Sequence, residues 1–320
     1  MDLYVGVDLG GTAIKSGLID ESGNILKTLE IPTGVEANSS AVVMQNIKDS
    51  IKQILNNCKK EDVKAIGIGV PGIAGENGNI TIFANIRVFD NYPMGLEVEK
   101  EFKIPVFVDN DANNAARGEY VFGVAKGKKN FVLVTLGTGI GGGIFINGDI
   151  YQGIGGCAGE VGHMIIVPNG RQCGCGNFGC WETYGSASAM IKRANALISK
   201  GLKTSLIKYY PDKMNAKVIT EEAEKGDPIA MQIFDETAYY VGLGIANIIQ
   251  IFNPELCVIG GGLSHAGKFL LDKVRFHAML ASISSAWSSV GIVTAKLGNK
   301  AGILGAGALA FMRINKEGKV

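Results

Sequence analysis

The chain has 320 residues, of which 47% are apolar and 19% charged, and its mean hydropathy is +0.19. That is enough apolar chain for about two domains with sizeable cores, and it excludes intrinsic disorder. Lys plus Arg number 31 against 30 Asp plus Glu, so the net charge of +1 excludes the basic footprint of a nucleic-acid or polybasic membrane binder.

Tyr4–Leu9 is a buried strand, turned by Gly-Gly-Thr into a second strand at Ser16–Ile19. A turn at Glu21–Asn24 leads to a third, Ile25–Glu30. Val43, Ile47, Ile51, Ile54 and Leu55 recur at helical spacing. Ala65–Val70 is a strand ended by Pro71-Gly72. Val106–Val108 is another, closed by Asp109-Asn110-Asp111, and a helix begins near Ala112. Phe131–Leu136, Gly137-Thr138-Gly139, a strand near Gly143–Ile146 and a turn at Asn147-Gly148 then repeat the opening. Val7–Gly10 matches Val134–Gly137 and Leu18–Asp20 matches Phe145–Asn147, which suggests two related lobes. The alternative is chance likeness between glycine-rich hairpins.

Asp227 and Pro228 are the N-cap and first residue of a long helix that runs to Phe252 and stops at Asn253-Pro254. Its stretch Thr237–Pro254 carries no formal charge. Gln250, Asn247 and the flanking Asp235 and Glu236 favour a buried core helix over a membrane span. Leu256–Ile259 is a buried strand ending in Gly260-Gly261-Gly262, and Ala301–Phe311 is a helix that packs through small residues. The N-terminus lacks a cationic stretch before an apolar one, and six cysteines are too few for a disulfide scaffold, so a cytoplasmic protein is expected.

Glycine is the compositional anomaly, at 45 residues, about twice the usual ~7%. Three glycine turns follow apolar strands: Gly10-Gly11-Thr12, Gly137-Thr138-Gly139 and Gly260-Gly261-Gly262. Such turns let backbone N–H groups face a phosphate, and Thr12 and Thr138 add hydroxyls. Together they point to a nucleotide polyphosphate, although each alone is equally a hairpin turn. None fits the P-loop or the dinucleotide fingerprint. Asp8, at the mouth of the first turn, suits a hydrated Mg²⁺. Asp111 is the candidate base for a phosphoryl acceptor hydroxyl. The alternative is that Asp109 or Asp111 only caps the helix that follows. His163 with Cys173, Cys175 and Cys180 makes a four-ligand set suited to a structural Zn²⁺, whereas Cys58, Cys157 and Cys257 stand apart as ordinary thiols. Glu160 and Glu182 flank that loop, where their carboxylates could accept from sugar hydroxyls or simply be solvated.

The segments Asp8–Thr12, Asn110–Asn113, Leu136–Gly143, Gly159–His163 and Cys173–Glu182 resemble the ROK family (repressor, open reading frame, kinase) over nearly the whole chain. The resemblance implies an α/β, two-lobed actin-like ATPase (ribonuclease H-like) fold with an interlobe cleft. We expect a small lobe of residues 1–115 plus 303–320 and a large zinc-bearing lobe of residues 116–302. It implies ATP-dependent phosphorylation of a hexose, glucose at its 6-hydroxyl before N-acetylmannosamine, N-acetylglucosamine, fructose or allose, with Asp111 as base. Asn85, Asn110, Glu160, His163 and Glu182 would contact the sugar, and His163 would serve zinc and sugar at once. Homodimers are common in the family. A sugar-responsive repressor is the other class; it would carry a DNA-binding domain ahead of Tyr4, and no nucleic-acid or membrane partner is expected here. One departure is that Asn85 is followed by Ile86-Arg87-Val88-Phe89, where family glucokinases often carry Leu-Gly-Trp or Pro-Gly-Trp, and Arg87 has no assigned role.

Overall fold

The structure, a computed structural model, describes residues 1–75, 80–83 and 89–317. The chain divides into two compact units, one of residues 1–127, 149–158 and 296–320, the other of residues 128–148 and 159–295.

In the first unit, β1 (Leu3–Leu9), β2 (Ala13–Asp20), β3 (Ile25–Pro32), β4 (Val63–Val70) and, beyond the short pair β5 (Gly72–Ala74) and β6 (Ile80–Phe83), β7 (Val106–Asn110) form the main sheet. Its order is β3-β2-β1-β4-β7, with β1, β4 and β7 mutually parallel and β2 antiparallel to both neighbours. Helix α1 (Ser40–Leu55) buries Val43, Ile47, Ile51 and Ile54 of the expected stripe and Met44 beside them, while Leu55 is only partly buried. The short helix α2 (Met94–Phe102) buries Met94 and Val98. Helix α3 (Asp111–Val121) starts where β7 ends.

In the second unit, β8 (Phe131–Leu136) pairs antiparallel with β9 (Ile140–Ile146). After the two-residue strand β10 (Asp149–Ile150) of the first unit, β11 (Leu256–Gly260) and β12 (Gly291–Thr294) extend that sheet in parallel. The order β9-β8-β11-β12 repeats β2-β1-β4-β7, as the sequence match suggests. The register corrects that match by one residue. Val5 pairs with Leu18 and Val132 with Ile144, so the second strand of the repeat is offset by 126 residues (144 − 18), not 127 (132 − 5). The hairpin Gly137–Gly139 is one residue shorter than Gly10–Ala13, and a one-residue change swaps which face each side chain meets. The strand expected near Gly143–Ile146 starts earlier, at Ile140, and takes in Gly141–Gly143.

The helices of this unit are α4 (Glu182–Gly185), α5 (Ala187–Ser199), α6 (Ala216–Glu224), α7 (Pro228–Phe252), α8 (Lys268–Ala281) and α9 (Ser284–Trp287). Helix α7 begins as expected: Asp227 Oδ1 accepts from the N–H groups of Ile229 and Ala230 at 3.0 and 2.9 Å. It ends on Asn253, whose left-handed backbone returns an N–H to Ile249. Its uncharged stretch lies in the unit's core, with Ala238, Val241, Ile245, Ile248 and Ile249 wholly buried. Among the described residues no helix is long and apolar enough to cross a membrane. Helix α10 (Ala301–Glu317) packs on β1 and β4 of the first unit through small residues, its carbonyls lying where side chains on Gly6 and Gly67 would be.

Trp181 is the largest fully buried side chain of the second unit. Its Nε1–H donates to Tyr240 O at 2.8 Å, and its ring fills the space a side chain on Gly244 would take. Gly244→Ala should therefore lose about 1–3 kcal/mol of stability through overpacking, read by urea unfolding. A variant as stable as the parent would overturn this account of the contact.

Candidate active site

In the first unit, five charged or small residues share one row across the sheet. Glu30 pairs with Lys15, Lys15 with Asp8, Asp8 with Gly69, and Gly69 with Asp109. At a strand spacing of about 4.8 Å, Asp8 and Asp109 stand about 10 Å apart on the same edge, at the carboxyl ends of parallel strands. The Asp8 carboxylate lies against Gly302 at the start of α10, where no side chain would fit. Burial pushes its pKa above the ordinary value and Lys15 draws it partly back. The turn beyond it is tied internally. Gly10 N–H donates to Ala13 O at 2.9 Å, and Thr33 Oγ1 donates to Gly10 O at 2.7 Å. Gly11 and Thr12 are left exposed, and a Cβ on Gly11 would meet nothing within 4 Å, so no contact within the chain calls for glycine there.

The β7–α3 corner answers the question of the helix cap. Asn110, not either aspartate, is the cap: its Oδ1 accepts from Ala112 N–H at 2.8 Å and Asn113 N–H at 3.1 Å, while its Nδ2 donates to Gly72 O at 3.0 Å. Asp109 is buried and paired with Arg117 at 2.5 Å. Asp111, the first helical residue, is exposed, and its Oδ1 accepts from Ala112 N–H at 2.7 Å. Asn85 and Arg87 lie outside the described residues.

In the second unit, Gly137 N–H donates to Gly139 O at 3.0 Å, and Ala187 N–H at the start of α5 donates to Gly137 O at 2.9 Å. Gly261 has a φ of +80°, and a Cβ there would press on the Leu136 backbone at 2.6 Å, so this turn is glycine for both reasons. Cβ atoms on Gly137 and Gly262 would meet nothing within 4 Å. A cavity of about 420 Å³ is lined by Thr138, Gly139, Arg171, Glu182, Ser188 and Lys192 among others.

The loop after His163 folds back on itself through Cys173 N–H to Asn177 O at 2.8 Å and Gly176 N–H to Cys173 O at 3.0 Å. It brings one ring nitrogen of His163 and the sulfurs of Cys173, Cys175 and Cys180 within 4.8 Å of one another. The His163 Nδ1–Cys173 Sγ distance is 3.6 Å and the Cys175–Cys180 sulfurs are 3.7 Å apart. A tetrahedral Zn²⁺ with Zn–S of about 2.3 Å and Zn–N of about 2.0 Å has edges of about 3.5–3.8 Å, so the donor set fits that ion. Burial raises the Cys173 and Cys180 pKa values, a penalty on two thiolates that a divalent cation would offset, while the Asn177 backbone N–H lowers that of Cys175. Glu160 Oε2 lies 3.8 Å from His163 Nε2, and Glu182 Oε1 lies 3.8 Å from Nδ1 and 3.0 Å from Cys173 Sγ. The other Glu182 oxygen stands 2.5 Å from where a Cβ on Gly139 would sit, so one carboxylate touches both the cysteine loop and the glycine turn.

A sequence profile of the ROK family matches residues 4–313. The chain belongs to the ROK family. A glucokinase from Halalkalibacterium halodurans is 40% identical over 323 residues, covering 99% of this ROK chain and 97% of that protein. A ROK family glucokinase from Streptomyces griseus, solved in complex with glucose and AMPPNP, is similar with a TM-score of 0.82 and 36% identity, over 97% of this chain and 99% of that one. The xylose repressor of Bacillus subtilis is 32% identical over 96% of this chain and 76% of its own length. This ROK chain thus has the α/β actin-like ATPase fold that its motifs imply.

Three residues of the first unit were not found from the sequence: Lys15, Arg117 and Gln152. The length of the Gly10–Thr12 turn sets Lys15 opposite Asp8, so the register of a tight hairpin could have found it. Arg117 and Gln152 reach Asp109 across 8 and 43 residues, and no local signal marks them.

The raised pKa of Asp8 has a signed consequence. The folded state holds the proton to higher pH than the unfolded state, so stability falls as pH rises from the ordinary carboxyl value through the folded one. Asp8→Asn removes that loss. Its thermal midpoint, relative to the parent, should be higher at pH 7 than at pH 3, where both states of Asp8 are protonated. An equal difference at the two pH values would count against the burial of this charge.

Proposed function

We propose that this ROK chain is an ATP-dependent hexose kinase that phosphorylates glucose on its 6-hydroxyl. The observation that carries the reading is the β7–α3 corner: Asn110 caps the helix and Asp109 is paired with Arg117, while the Asp111 carboxylate stands exposed at the strand's carboxyl end. The similarity to glucokinases along nearly the full length supports glucose over the other hexoses.

In this reading Asp111 accepts the proton of the acceptor hydroxyl as the oxygen attacks the γ-phosphorus and ADP leaves. Asn110, Glu160, His163 and Glu182 take hydrogen bonds of the sugar, with Asn85 as a further contact. His163 turns Nδ1 to the cysteines and Nε2 toward Glu160, which leaves the ring orientation set by its partners. Thr12 and Thr138, with the backbone N–H groups of Gly11, Gly139, Gly260, Gly261 and Gly262, receive the nucleotide phosphates, while Gly10 and Gly137, whose N–H groups close their own turns, let the phosphates approach; the open space over Gly11, Gly137 and Gly262 supports this. Asp8 would hold hydrated Mg²⁺, which when bound neutralises charge on the β- and γ-phosphates. His163, Cys173, Cys175 and Cys180 would hold Zn²⁺ as a structural ion that keeps the loop in shape. A cytoplasmic homodimer completes the proposal.

A coupled ADP-release assay tests it. kcat/KM should be higher for glucose than for N-acetylmannosamine, N-acetylglucosamine, fructose or allose. Asp111→Asn should lose about 10²–10⁴-fold in kcat while still binding glucose. Equal turnover by the variant would remove Asp111 as the base.

Stripping the metal, with its loss verified by elemental analysis, should weaken glucose binding in calorimetry as the loop loses its order. Unchanged binding would show that the loop holds Glu160, His163 and Glu182 without an ion.

A further inference from the structure

Asp109 directly precedes the two residues on which the proposed chemistry turns, and it is 2% exposed. Its carboxylate has four partners. Arg117 Nη2 at 2.5 Å and Gln152 Nε2 at 2.8 Å donate to Oδ2. Asn113 Nδ2 at 3.1 Å and the Asn110 backbone N–H at 2.7 Å donate to Oδ1. Arg117, equally buried, gives its other terminal nitrogen to Asn114 Oδ1 at 3.0 Å. Burial pushes the Arg117 pKa down, and Asp109 opposes that shift. One carboxylate thus joins the end of β7, the first turns of α3 and the separate segment 149–158.

A buried ion pair contributes little net stability, because desolvation offsets most of the attraction and a neutral pair of similar size often serves as well. What this pair supplies is direction. The guanidinium is a planar fork, so its bonds to Asp109 and Asn114 fix the rotation of α3 about the strand end. Asn110 is held at both its backbone N–H and its cap oxygen, and Asp111 is the next residue, so the heading of the Asp111 carboxylate is set from behind by Asp109.

We propose that Arg117 and Gln152 are positioning residues for phosphoryl transfer: acting through the buried Asp109 carboxylate, they aim Asp111 at the acceptor hydroxyl. The proposal rests on the reading of Asp111 as the base. Such aiming matters because a displacement of about 1 Å at a reacting group can cost on the order of 100-fold in rate.

The test compares full-length parent, the neutral double variant Asp109→Asn/Arg117→Met, Gln152→Met and Asp111→Asn by steady-state kinetics with glucose and ATP, alongside thermal melts. The double variant keeps an acceptor for the Asn110 N–H and removes both charges together, so it should melt close to the parent. Its kcat should fall about 10- to 100-fold with both KM values within about twofold, and Gln152→Met should show a smaller fall of the same kind. A merely structural pair would leave kcat at the parent level in a folded double variant, and that result overturns the proposal. If the double variant does not fold, Gln152→Met decides: an unchanged kcat overturns it, a lowered kcat at unchanged KM supports it. Asp111→Asn separates the two readings. If it is inactive while the double variant is fully active, only the positioning role falls; if it turns over normally, the base and its positioning fall together.

Discussion

Asp8 is paired with Lys15 on one side and Gly69 on the other, and Gly69 is paired in turn with Asp109. That row exists because β1 runs antiparallel to β2 and parallel to β4, and because the Gly10–Ala13 turn admits one register. Shifting β2 by a single residue would turn Lys15 to the opposite face and leave Asp8 without a nearby cation. Shifting β7 against β4 would move Asp109 out of line and carry Asn110 and Asp111 with it. The chemistry of the first unit is therefore set by backbone hydrogen bonds between strands, and the polar side chains inherit their places from that ladder.

The second sheet repeats the topology with different chemistry. The row that corresponds to Lys15–Asp8–Gly69 is Gly141–Thr135–Gly260, with no charge in it. Two copies of one strand arrangement have thus become specialised. The first carries the acids, suited to a cation and to proton transfer. The second carries glycine turns and a threonine, suited to the backbone recognition of phosphate. The shorter hairpin of the second copy fits this division, since no side chain of β9 is needed opposite Thr135.

Each unit also has a stiffening device beside its polar residues. In the first it is the buried Asp109–Arg117 pair and its four-partner carboxylate. In the second it is the loop that carries Cys173, Cys175 and Cys180, folded on its own backbone hydrogen bonds and tied through the neighbouring Trp181 to α7 and through Glu182 to Gly139. Both solve the same problem. Short polar side chains at the ends of strands would otherwise sample many rotamers, and a fixed neighbour removes that freedom.

Much of this was legible in the sequence alone because its signals are local. Asp227-Pro228 and Asn253 mark the ends of α7 through their own hydrogen bonds and backbone angles, and the spacing of Cys173, Cys175 and Cys180 brings three sulfurs together within one tight loop. The strands before the glycine turns announce themselves by β-branched, apolar runs. What the sequence left open depends on partners far along the chain. It could not tell which residue caps α3, because Asp109 was competing for a distant arginine and so left the cap to Asn110. It placed the second half of the repeat one residue out of step, because likeness of letters does not report hairpin length. It did not show Gln152 reaching Asp109, 43 residues away. Caps, turns and ligand spacings are decided within a few residues by short-range sterics and hydrogen bonds, whereas register and buried pairing are decided only when separate strands and helices meet.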